Sequence, residues 1–73
     1  MHEHTTLTVT GFVGAELCVV TMRYPRQCWD DVTEADREEL RSTARWRFAN
    51  WARDELGTTL PDHQVNALAV AAT

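Results

Sequence analysis

Asp30-Asp31-Val32-Thr33-Glu34-Ala35-Asp36-Arg37-Glu38-Glu39-Leu40, continued by Arg41-Ser42-Thr43-Ala44-Arg45-Trp46-Arg47-Phe48-Ala49-Asn50-Trp51 and closed at Gly57, is the stretch that decides the fold. Leu40, Ala44, Phe48 and Trp51 recur at helical spacing, and Ala52 and Leu56 extend that side. The pattern predicts one long amphipathic helix from Asp30 to Gly57, with an apolar stripe that must lie on other structure. Gly57 stands where a left-handed cap ends a helix. Thr33 and Asp36 are spaced like a capping box, in which a hydroxyl accepts from the amide three residues on. Arg37, Arg41 and Arg45 form a ridge along one edge of the stripe, placed to cover the core margin with their stems while their heads stay wet.

Upstream, Leu7 and Val9 alternate with Thr6, Thr8 and Thr10, and Leu17 to Tyr24 is a second β-prone run ended by Pro25. The break at Gly14-Ala15-Glu16 is too short for a parallel crossover, so the two runs predict an antiparallel hairpin. Gly11, inside the first run, is read as a bulge or the start of a wider turn. Downstream of Gly57, Thr59-Leu60-Pro61-Asp62 resembles a helix start with proline in the first turn, and Val65, Leu68, Ala69 and Ala72 share a helical face. The expected fold is therefore α+β, a single domain over residues 1–73 with residues 1–4 frayed. An N-terminal antiparallel β-hairpin packs on one long helix, and a short C-terminal helix follows. The alternative is a third strand through Val65 to Val70, giving ββαβ, because a short apolar run is not decided by periodicity.

At 73 residues, a domain buries only about 60% of the surface its unfolded chain exposes. One such core rarely supplies more than about 3–5 kcal/mol, which favours a homodimer or a tightly bound partner. The N-terminus lacks the charged and apolar regions of a secretory signal, and no apolar run reaches membrane-spanning length. The expected location is the cytoplasm, with Cys18 and Cys28 reduced and serving as small buried hydrophobes.

The formal net charge is −4, and all seven basic residues are arginine. An acidic domain repels a phosphate backbone, so direct nucleic-acid binding is not expected. No serine, threonine or cysteine has a histidine in a nucleophile-activating arrangement, and the glycines form no phosphate-cradling loop. The His2-Glu3-His4 pattern could hold a metal only loosely, and Cys18, Cys28 and His63 lack the paired spacings of zinc sites. We accordingly expect no enzyme activity, no cofactor and no metal.

Binding is the remaining class. Six carboxylates, Asp30, Asp31, Glu34, Asp36, Glu38 and Glu39, fall in ten residues, a density approaching that of duplex DNA at about one charge per 1.7 Å. The profile is similar in type to small accessory proteins of phages and mobile elements, anti-CRISPR and anti-restriction inhibitors among them, without a shared motif. It implies an acidic inhibitor or adaptor that occupies the basic, nucleic-acid-binding surface of a larger protein or ribonucleoprotein complex. Trp46 projects off the apolar stripe, on the face of Glu39, Asn50 and Arg53, and an exposed indole marks an interface. The expected partner-binding residues are Asp30, Asp31, Glu34, Glu38, Glu39, Trp46 and Arg53. The alternative reading is a self-associating module with a homodimer interface centred on Trp46.

Overall fold

A computed structural model describes residues 3–73. Strand β1 (His4–Val13) and strand β2 (Glu16–Pro25) form the expected antiparallel hairpin, in register from His4 opposite Pro25 to Val13 opposite Glu16. Only Gly14 and Ala15 link them. Gly14 sits at φ 63° and, among the described residues, no non-glycine residue has positive φ, the arrangement of a type II′ turn, which matches the strands' right-handed twist. Glu3, just outside β1, accepts a backbone bond from Arg26 (3.0 Å), which extends the hairpin pairing by one residue.

The long helix is shorter than expected at its start. A one-turn helix α1 (Gln27–Asp30) comes first, and α2 (Glu34–Leu56) begins only after Thr33. Thr33 is extended (φ −73°, ψ 165°), and its Oγ1 accepts from the Asp36 amide at 3.2 Å. β-branched Val32 and Thr33 resist helix, and a threonine side chain bonded to its own backbone favours a cap over an interior position. At the other end Gly57 takes the left-handed conformation, φ 68°, and its N–H closes on the last turn.

Past Gly57 both downstream expectations are partly realised. Helix α3 (Asp62–Asn66) is a single short turn capped by Pro61, which lies outside the helix and not in its first turn. Strand β3 (Ala69–Ala72) then pairs antiparallel with β1, Leu7 opposite Ala72 and Thr10 opposite Ala69. The sheet order is β2-β1-β3, with β1 central.

Leu7, Val9, Val13 and Met22 from the hairpin meet Ala44, Phe48, Ala49 and Ala52 of α2 and Leu60, Val65 and Leu68 from the C-terminal segment. Phe48 is fully buried and contacts the half-buried Trp51, with ring centroids 5.8 Å apart. Leu56, expected on the apolar stripe, is instead 45% exposed. Gly11 marks no bulge: its pairing with Cys18 is continuous with the rest of the ladder. Its missing side chain serves packing, since a Cβ there would overlap Leu68 Cδ2 and stand 3.7 Å from Phe48 Cζ. Among the described residues no helix is long and apolar enough to cross a membrane.

Candidate interaction surfaces

The acidic stretch is divided by the break before α2. Asp30 closes α1 and pairs with Arg26 across one turn (3.5 Å), while Asp31 caps α1 and is exposed. The six carboxylates therefore do not lie along one helix.

Within α2 the arginine ridge does more than stay wet. Arg41 donates to Glu34 (2.8 Å) and Glu38 (2.9 Å), and Arg45 donates to Glu38 (3.0 Å). The Arg45 and then the Arg41 hydrogen bonds hold the Glu38 carboxyl below its usual range, and Glu34 and Glu38 raise Arg41 in turn. The other guanidinium nitrogens reach the backbone. Arg37 Nε–H donates to the Trp29 carbonyl (2.7 Å), tying α1 to α2, and Arg45 Nε–H donates to the Leu68 carbonyl (3.0 Å), tying α2 to the approach of β3. Arg37 and Arg41 also lie 5.2 and 5.1 Å from the Trp29 ring centroid, within cation–π range. Trp29 is half-buried and packs against the core.

Glu34 and Glu38 thus belong to an internal ion-pair ladder. Asp31, Asp36 and Glu39 are exposed and have no salt bridge among the described residues. Setting the six carboxylates of the stretch against Arg26, Arg37, Arg41 and Arg45, which contact it, leaves a local charge of −2.

Trp46 is 40% exposed. At about 100° per residue it stands roughly 150° from the middle of the buried arc of α2, on the outer face with Glu39, Asn50 and Arg53. Arg53 is exposed and bonds its neighbour Asp54 (3.1 Å). Of the acidic residues in the stretch, Glu39 thus shares the outer face of α2 with Trp46, while Glu34 and Glu38 turn toward the arginine ridge.

The sequence reading passed over a different surface. Thr6, Thr8, Thr10 and Phe12 of β1 alternate away from the core and face Arg23, Thr21, Val19 and Leu17 of β2, with Ala69 and Ala71 of β3 beside them. Phe12, Leu17 and Val19 are 58%, 60% and 56% exposed. Arg23 is the sole charge in those rows, and among the described residues no element covers them. The signal was present in the threonine alternation, which marks a half-buried strand but leaves open what faces its outer side.

Cys18 is half-buried and Cys28 exposed, so the expected pair of buried hydrophobes is not found; both thiols are free. His2 of the His2-Glu3-His4 pattern lies outside the described residues. Among those described, no three histidine, cysteine, aspartate or glutamate side chains gather as metal ligands would. Comparison with protein-family models, curated proteins and solved structures found no match for this chain.

Proposed function

We propose that the chain is a non-enzymatic protein-binding module, a small acidic inhibitor or adaptor of the phage-accessory type, whose acidic end occupies a basic surface of a larger complex. What supports this reading is the set of exposed carboxylates with no salt bridge among the described residues, Asp31 at the end of α1 and Asp36 and Glu39 in the first two turns of α2. Glu34 and Glu38 shape that end through Arg41 and Arg45, so the contacts to a partner fall to the other three, with Asp30 at the margin. A local charge of −2 suits steering toward a basic protein surface better than replacement of a phosphate backbone. The test is capture of partners from the native host with wild-type protein and with the Asp31→Lys/Glu39→Lys double variant. A basic partner captured by the wild type should be lost in the double variant and released as salt rises. Undiminished capture by the double variant would remove the reading.

A second reading, self-association, is favoured by the exposure of Trp46 (40%) opposite the buried face of α2. A tryptophan-centred contact is nearly indifferent to salt, which separates it from the first. Trp46→Ala should abolish dimer formation if that indole is the anchor.

A further inference from the structure

Strand β2 forms a free edge of the sheet. The direction of its backbone groups follows from three bonds. Arg26 donates to Glu3, and Thr6 and Thr73 donate to one another, each at 3.0 Å. In an antiparallel ladder, bonded and non-bonded pairs alternate, so β1 turns its odd-numbered residues toward β2 and its even-numbered ones toward β3. On β2 the residues bonded to β1 are then Glu16, Cys18, Val20, Met22 and Tyr24. Leu17, Val19, Thr21 and Arg23 turn both N–H and C=O out of the sheet. Such an edge is normally blunted by lysine, internal proline or a bulge. This one has no lysine, carries charge only toward its ends at Glu16 and Arg23 and proline only at its last residue, Pro25, and runs unbroken in register over ten residues. The opposite edge, β3, is only four residues long.

We propose that the β2 edge pairs with the β2 edge of a second copy of this chain, antiparallel about a two-fold axis at Val20, to make one continuous sheet. The inference deepens the self-association reading and moves its interface from Trp46 to β2. Self-complementarity selects the axis. At Val20, Leu17 of one copy opposes Arg23 of the other and Val19 opposes Thr21, so every outward-turned residue finds a bonding partner. An axis at Thr21 would set Leu17 against Pro25, which has no N–H. An axis at Val19 would set Arg23 against Ala15, in the turn. The Val20 register opposes no like charges, and it joins the exposed Leu17 and Val19 of both copies on the open face.

Charge marks the same register. It places Glu16 of one copy opposite Tyr24 of the other, on the helix side of the sheet, with Cβ atoms about 4.5–5.5 Å apart. The Arg47 guanidinium already lies 6.0 Å from the Tyr24 ring centroid; it is exposed and has no salt bridge among the described residues. Glu16 is likewise exposed and has no salt bridge among the described residues. Glu16 of each copy therefore meets Arg47 of the other, twice per dimer.

The test is sedimentation velocity on the full chain across a concentration series up to about 100 µM, because a dimer's population depends on concentration. Wild-type protein should move from 8.3 kDa toward twice that mass. Glu16→Arg and Arg47→Glu should each weaken the dimer by about tenfold, and the two combined should restore it, as expected of charges that meet across an interface. Both positions are exposed, so circular dichroism should stay unchanged. Thr21→Pro, which removes a donor the isolated chain leaves unused, should give monomer, whereas Trp46→Ala should leave the mass intact. A dimer lost on Trp46→Ala and indifferent to the Glu16 and Arg47 reversals would overturn the β2 pairing and leave self-association standing. A wild type that stays monomeric throughout would overturn both.

Discussion

Gly11→Ala is the sharpest probe of how the C-terminal segment seats on the sheet. One added methyl meets Leu68 Cδ2 head-on and comes within 3.7 Å of Phe48 Cζ, and both neighbours are buried. Overpacking of this kind costs about 1–3 kcal/mol. Against it stands a gain of about 0.4–1 kcal/mol, because alanine has less freedom than glycine to lose from the unfolded chain. The net loss is about 1–2 kcal/mol, a large part of the roughly 3–5 kcal/mol that a core this small supplies. At about 4–8 °C per kcal/mol for a domain of this size, melting should fall by about 5–15 °C. The control is Leu68→Val, which shortens the obstructing side chain. If Leu68 is the obstacle, Gly11→Ala made in that background should be neutral or slightly stabilising, and a double-mutant cycle read by urea denaturation should show coupling above about 1 kcal/mol. Equal destabilisation in both backgrounds, or none in either, would refute the argument that glycine is needed there for Leu68.

Thr5 is buried with its hydroxyl unbonded, so Thr5→Val should stabilise by about 1 kcal/mol in thermal or chemical denaturation. Trp51→Ala removes a half-buried ring from Phe48 and should cost about 2–4 kcal/mol, whereas Trp46→Ala should change melting little; equal losses would place Trp46 in the core. Because its arginine partners depress the Glu38 carboxyl below its unfolded value, its contribution is complete above the ordinary glutamate range near pH 4.3 and is lost as pH falls through the lower folded value. Glu38→Gln should therefore flatten the acid limb of the stability profile below about pH 4.5, and an unchanged limb would count against the ladder.

The hairpin and both caps of the long helix were legible because each rests on local chemistry: threonine alternation, a short break beginning at Gly14 that proves one residue tighter than the expected Gly14-Ala15-Glu16, Thr33 and Gly57 at the helix ends. The start of that helix was misplaced at Asp30 by giving acidic density more weight than the cap at Thr33, although a capping threonine already implies that the residues before it are outside. Leu68 and Val70 could not be assigned from periodicity, since a short apolar run suits either state until β1 offers it an edge. The candidate site was legible only in part. Exposure of Trp46 followed from its place on the helix. The pairing of Glu34 and Glu38 with Arg41 and Arg45 depended on rotamers and reach that a helical wheel does not specify. The open sheet face went unread because a strand's outer side is defined only once the whole sheet is known.

The central position of β1 gives the chain a particular order of assembly. One neighbour, β2, is available as soon as a two-residue turn closes, but the other is remote: Leu7 meets Ala72 across 65 positions, 72 minus 7. The hairpin and α2 can form early, while the β1–β3 ladder carries the loop-closure entropy of nearly the whole chain and must zip late. Until it does, β1 presents a bare second edge, and a nascent polypeptide in that state is sticky along both sides of its hairpin. The Arg45 bond to the Leu68 carbonyl sits at the entry to that ladder, where it can hold the incoming segment in alignment before the strand registers.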